Sequence, residues 1–255
     1  MARGDSRRFS QKMPISEINS SLSAVAVDCS TLSTLDVERM FALYSDFYCD
    51  AEFDLFKRDL ADKTHCVLLR DASDCIQGFT TLKLYETIWE LRPLRVIFSG
   101  DTIINPEHWG SQQLAFAWIR FAGKVRRMAP AVPLYWFLIC KGHRTYRYLR
   151  AFAHRYAPHF DHGTPPFMQE LMNRLAGSRF GENYDQARGL LSFTEPQGRL
   201  SAELARVPLA HHRLPDVAYF LKRNPDYARG DELVCLCELA PENLRPLARR
   251  VFSQE

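Results

Sequence analysis

The stretch SGDTIINPEHWGSQQLAFAWIRFAGKV, residues 99–125, runs from a strand into a turn with one glycine, Gly110, and then into an amphipathic helix. A helix start presents unpaired backbone N–H groups and a partial positive charge, which together suit a pyrophosphate. The same residues also read as an ordinary helix start capped by Ser111. Lys141, His143, Arg144, Arg147 and Arg150 cluster in the segment KGHRTYRYLR, and Arg120, Lys124 and Arg127 share one helix face. Guanidinium groups grip phosphates in bidentate fashion, so both groups point to an anionic partner. The plain alternative is a solvated face balanced by acidic neighbours. Tyr146 and Tyr148 lie among these arginines and could stack bases, but no strongly basic domain surrounds them, which argues against nucleic acid. His154, His159, Asp161 and His162 fit no common zinc spacing, so no metal is expected. A nucleophilic pair of Cys140 and His143 would place its thiol in an apolar run.

The elements that must position these residues follow from periodicity. STLDVERMFALYSDFYCDAEFDLFKRDLADK predicts one or two helices, capped by Ser33 or Thr34, the second over 53–60. Cys66 to Leu69 is a short strand, RDASD a turn, and CIQGFTTLKLYETI a longer strand with Gly78 at a bulge or close approach. LRVIFSGDTII is a third strand. Alternation that buries Ile97 puts Ser99 and Asp101 on one face. Leu114, Trp118, Phe121, Val125 and Met128 form one apolar stripe of the next helix. VPLYWFLIC is a buried central strand, and HRTYRYLRAFAHRYA the helix after it. Beyond Pro158 the pattern predicts a short helix in TPPFMQELMNRLAG, a loop in SRFGENYDQARG, and then a helix, a turn and a terminal strand holding Cys235 and Cys237 on one core face. The order implies a mixed sheet flanked by helices.

The 255 residues suffice for one large domain or a domain with an extension, and 46% apolar with 25% charged residues is ordinary for a globular chain. A net charge of +3 falls short of a dedicated nucleic-acid binder. Seven scattered cysteines, an odd number, read as reduced thiols in a cytoplasmic chain. The N-terminus carries arginines without an apolar run, no stretch reaches the length of a membrane span, and residues 1–20 are expected to be poorly ordered.

VLLRDASDCIQGFTTLKL, INPEHWGSQQL and LYWFLICKGHRTYRYLRAF, in this order and spacing, resemble the GNAT-type N-acyltransferase superfamily over residues 35–160. C-I-Q-G-F and I-N-P-E-x-W-G carry the likeness. The family loop Arg/Gln-x-x-Gly-x-Gly/Ala is not kept: Trp109 stands at the arginine, and Gln112 and Leu114 at the later glycines. The resemblance implies an α/β fold of the α+β kind, with a mostly antiparallel sheet, a core over 21–164, and a C-terminal extension over 165–255 that adds a strand. A fifth strand would splay from the fourth, with the donor's pantetheine arm in the gap. The donor would be acyl-CoA or an acyl-phosphopantetheine on an acyl carrier protein. Ile103, Ile104, Trp109, Gly110, Ser111, Gln112 and Gln113 would hold it with Lys141, His143, Arg144 and Arg147, and a glutamine at Gln112 or Gln113 would crowd its approach. Aminolysis of a thioester needs a base for the amine and an acid for the leaving sulfur. By the resemblance Asp101 is the base and Tyr148 the acid, with Tyr146 the alternative acid. The acceptor would be a small molecule, and the terminal strand could pair across a homodimer. The other reading is a non-catalytic GNAT-like module that binds an anionic small molecule or an acidic protein.

Overall fold

A computed structural model describes residues 22–194 and 198–254; the expectation for residues 1–20 lies outside them. The main sheet is built on β1 (Ser23–Asp28), β2 (His65–Arg70), β3 (Ile76–Trp89), β4 (Arg92–Ile104) and β5 (Leu134–Cys140). Two short strands, β6 (Tyr184–Asp185) and β7 (Leu190–Leu191), and the long β8 (Glu232–Glu238) complete it. The spatial order is β1-β2-β3-β4-β5-β8-β7-β6, and every pairing is antiparallel except β4 with β5. This is the mixed sheet that the pattern implies, and it is mostly antiparallel, as the resemblance implies.

One face carries α3 (Gln113–Met128), α4 (His143–Phe152), α6 (Pro215–Arg223) and α7 (Pro246–Phe252), packed on Ile97, Trp136, Leu138 and Cys235. The other carries two separate clusters. α1 (Thr34–Phe47) and α2 (Phe53–Ala61) lie on Cys66, Leu68, Phe79 and Ile103, while α5 (Pro166–Phe180) lies on Phe98, Phe137 and Leu236. The break between these clusters falls over β4 and β5, and that is where the sheet opens.

Local chemistry sets the element ends. Ser33 caps α1 in a capping box with Asp36. Arg95, buried on β4, donates to the carbonyls of Val125 and Ala129 at 2.7 and 2.8 Å and so satisfies the end of α3. Gly78 lies at the bulge of β3 against β2, and a Cβ there would meet the Ile103 carbonyl at 2.8 Å.

The apolar stripe of α3 ends at Val125, because Met128 at the helix end is exposed. α5 extends through Phe180, taking in the start of the predicted loop, since Leu171, Met172, Leu175 and Ala176 continue its buried face. β8 is not terminal: α7 follows it, with Pro246 in its first turn. Nor does β8 leave an edge for a second copy, being paired to β5 on one side and to β7 and Ala157 on the other.

Candidate active site

β4 and β5 run parallel from Arg95↔Leu134 to Ser99↔Leu138 and then part. Beyond that point Thr102, Ile103 and Ile104 stay paired to β3, while Ile139 and Cys140 stay paired to β8. The cause is a bulge in β4. Thr80 pairs with Thr102 and Leu82 with Ser99, so Gly100 and Asp101 together oppose Thr81 alone. A Cβ at Gly100 would come within 2.6 Å of Thr81 Oγ1 and 2.9 Å of Lys63 Cε, so the bulge needs glycine there.

The bulge also corrects the facing expected from simple alternation. Ser99 lies on the α3/α4 face and accepts from Trp136 Nε1 at 2.9 Å, whereas Asp101 lines a cavity on the opposite face with Phe98.

That cavity, of ≈390 Å³, is walled by α1, α2, α5, β4, β5 and β8. Tyr48, Lys63, Asp59, Lys141, Glu232 and Arg179 line it together with Asp101. Burial, reinforced by the charge of Asp59, raises the Asp101 carboxyl to about 6 against the opposing pull of Lys141 and Lys63. Lys63 Nζ is wholly buried and held by Asp59, and Lys141 Nζ lies 3.4 Å from Glu232 and donates to the Gly198 carbonyl at 2.8 Å.

On the other side of the gap, a cleft of ≈280 Å³ is lined by Thr102, Ile104, Trp109, Ser111, Arg144 and Tyr148, among others. Tyr48, Thr102, Lys141 and Thr145 border both spaces. Tyr148 is half-buried, its phenol is raised by that burial, and its hydroxyl has no hydrogen-bond partner among the described residues. It is therefore a protonated group free to donate. Tyr146 is elsewhere: fully buried, it donates to the Pro158 carbonyl at 2.9 Å and packs on Tyr156, Tyr219 and Phe220. Below the cleft, Leu114, Trp118, Trp136 and Phe152 form an apolar floor.

The residues expected to hold a donor divide into groups. Ile104, Trp109, Ser111, Lys141, His143 and Arg144 line the cleft. Ile103 turns the other way, into the core under α1. Gly110 is exposed with open space around it, Gln112 is exposed, and Gln113 opens α3, so the glutamines do not crowd the cleft. Ser111 Oγ accepts from the Gln113 N–H at 3.3 Å.

Trp109 takes the place expected to be crowded. Its indole donates to the Ile104 carbonyl at 2.8 Å, and the Arg144 guanidinium sits 4.8 Å over its ring. His143 contributes no charge, because burial and the neighbouring Arg144 lower its imidazole to about 4; its Nε2 is buried without a partner. Arg147 and Arg150 are anchored by the buried Asp216 and face an adjoining groove. Arg127 holds the carbonyls of Phe252 and Gln254, far along α3 from the cleft. Cys140 lies buried 3.8 Å from Cys235, and burial pushes its thiol well up, which removes it as a nucleophile.

The open strand gap, the apolar floor, the unpartnered His143 Nε2 and the Arg144 guanidinium fit a phosphorylated thioester arm. Several contributors had no signal in periodicity. Tyr48 follows α1, Lys63 follows α2 and Arg179 lies in α5, and Leu200, Leu204 and Tyr227 cover the cleft from the C-terminal part. Among the described residues no group of three or more His, Cys, Asp or Glu side chains could hold a metal ion, and no helix is long and apolar enough to cross a membrane.

No family model matches this chain, and no curated protein matches it. Among solved structures it is similar to a probable N-acyltransferase from Enterococcus faecalis, at 10% identity and a TM-score of 0.41, over 53% of this chain and 33% of that one. It is also similar to the GNAT family N-acetyltransferase YhbS of Escherichia coli in complex with CoA, at 14% identity and a TM-score of 0.38, over 52% and 69%. A Trypanosoma brucei acetyltransferase is similar at 16% identity and a TM-score of 0.37, over 52% and 94%. The chain thus spans about a third of the length of the first of these. Each likeness covers about half of this chain.

Proposed function

We propose that this protein transfers an acyl group from a phosphopantetheine thioester, on coenzyme A or an acyl carrier protein, to an amine or similar nucleophile. The observation that carries the reading is the parting of β4 and β5, with a basic cleft on one side, a cavity holding Asp101 on the other, and Thr102 and Lys141 common to both. Arg144, Ser111 and the His143 Nε2 would hold the donor's phosphates and arm, with Thr102 and Ile104 along the strand. The donor supplies an acyl carbon activated as a thioester.

Asp101 takes one proton from the acceptor's ammonium and passes it to solvent. As nitrogen bonds to the acyl carbon and the carbon–sulfur bond breaks, Tyr148 protonates the sulfur. The remaining surplus proton on nitrogen restores the tyrosine, so one proton leaves in total. The free cysteines support a reducing, cytoplasmic setting.

A thermal-shift series with acetyl-CoA, longer acyl-CoAs and acyl carrier protein tests the reading. A rise of several degrees that Arg144→Glu abolishes supports it; no shift with any thioester or acyl carrier protein sinks it. One observation favours a non-catalytic module for an anionic ligand: Trp109 already occupies the Ile104 carbonyl at the strand end. Binding of the thioesters without release of thiol over hours would decide for that module.

A further inference from the structure

The charges around the ≈390 Å³ cavity are not all paired one to one. Lys63 is held by Asp59, and Lys141 by Glu232. Two groups are left over. Asp101 makes no ion pair among the described residues, and Tyr48 lines the cavity with it. Arg179, from the last turn of α5, shares the single carboxylate of Asp62 with Lys83, so two cations face one anion and a positive charge remains there.

The Arg179 guanidinium is fixed in place, lying over the Phe98 ring at 4.1 Å, and its Nε is buried without a hydrogen-bond partner. A fixed planar guanidinium with a spare N–H is suited to a carboxylate. In the same cavity Phe98, Phe180 and Phe193 form an aromatic wall with ring centroids 6.0 and 6.4 Å apart, and Ile139 adds to it. The volume is that of a small-molecule site.

We infer that the acceptor is a small aminocarboxylate with an apolar side chain, seated with its amine at Asp101, its carboxylate at Arg179 and its side chain on the phenylalanine wall. The inference rests on the acyl-transfer reading for the chemistry of the amine, but its binding half stands apart from that reading.

The test uses the full chain with matched probes, L-phenylalanine against 2-phenylethylamine and L-leucine against 3-methylbutylamine. Thiol release from acetyl-CoA is followed together with calorimetric binding of each probe alone. The carboxylated member of each pair is expected to have a kcat/KM at least about tenfold higher. Arg179→Gln and Arg179→Lys should each raise its KM about tenfold more than that of the plain amine, the lysine variant keeping the pair with Asp62 so that folding is preserved. Equal use of both members, or equal effects of the variants on both, overturns the inference while leaving acyl transfer standing. Binding of L-phenylalanine that the Arg179 variants abolish supports the inference even where no thiol is released. Neither binding nor turnover of any aminocarboxylate overturns it.

Discussion

Asp101 sits where burial and the charge of Asp59 oppose two lysines, and the outcome is a carboxyl raised to about 6. An unfolded aspartate releases its proton near about 3.9, so between these values the folded state binds more protons. The stability this group confers is complete below the unfolded value and is lost as pH rises through the folded one. Asp101→Asn should therefore be more stable than the parent above pH 6, by on the order of 1–3 kcal/mol in urea unfolding, with the advantage gone near pH 4. The same variant should lose about 10²–10⁴ in thiol release, along with the limb of the pH–rate profile that rises with a midpoint near 6. The two tyrosines of HRTYRYL should separate cleanly. Tyr148→Phe is expected to lower kcat with little change in melting temperature. Tyr146→Phe should keep kcat but cost about 1 kcal/mol, since it breaks the bond to the Pro158 carbonyl.

At the scale of elements, the site depends on how closely α3 is seated. A Cβ at Gly123 would lie 1.9 Å from the Phe252 carbonyl oxygen, so glycine lets α3 and α7 touch through their backbones. Gly123→Ala should push α7 away and cost about 1–3 kcal/mol, read as a lower melting temperature. Gly110→Ala is the control: nothing lies within 4 Å of a Cβ there, and a change within about 0.5 kcal/mol is expected. The bulge at Gly100 and Asp101 acts on the same scale. One extra residue in β4 turns the strand away from β5 and reverses which face its later side chains occupy. Gap and carboxylate placement thus share one cause.

For the molecule as a whole, β8 joins the C-terminal part to the core: Leu233 through Cys237 are buried, and Lys141 pairs with Glu232 at the strand's start. A chain cut after Phe193 should lose the partner of β5, expose a long apolar edge, and appear in the insoluble fraction on expression. The sequence by itself determined what local periodicity encodes. The stripe of α3, the buried run of β5, the strand–turn–helix order around Gly110, the strand that holds Asp101 and the helix that holds Tyr148 were all legible, because neighbours a few residues apart carry that pattern. Only the tertiary structure decided the rest. Tyr146 went into the core, Arg147 and Arg150 to Asp216, and Tyr48, Lys63 and Arg179 came to the cavity from three separate stretches of the chain. Those pairings join residues far apart in the chain, and a single inserted residue at the bulge inverts an alternation that would otherwise be read straight off the strand. Periodicity contains neither a long-range partner nor a shift of register, so both had to wait for the packed fold.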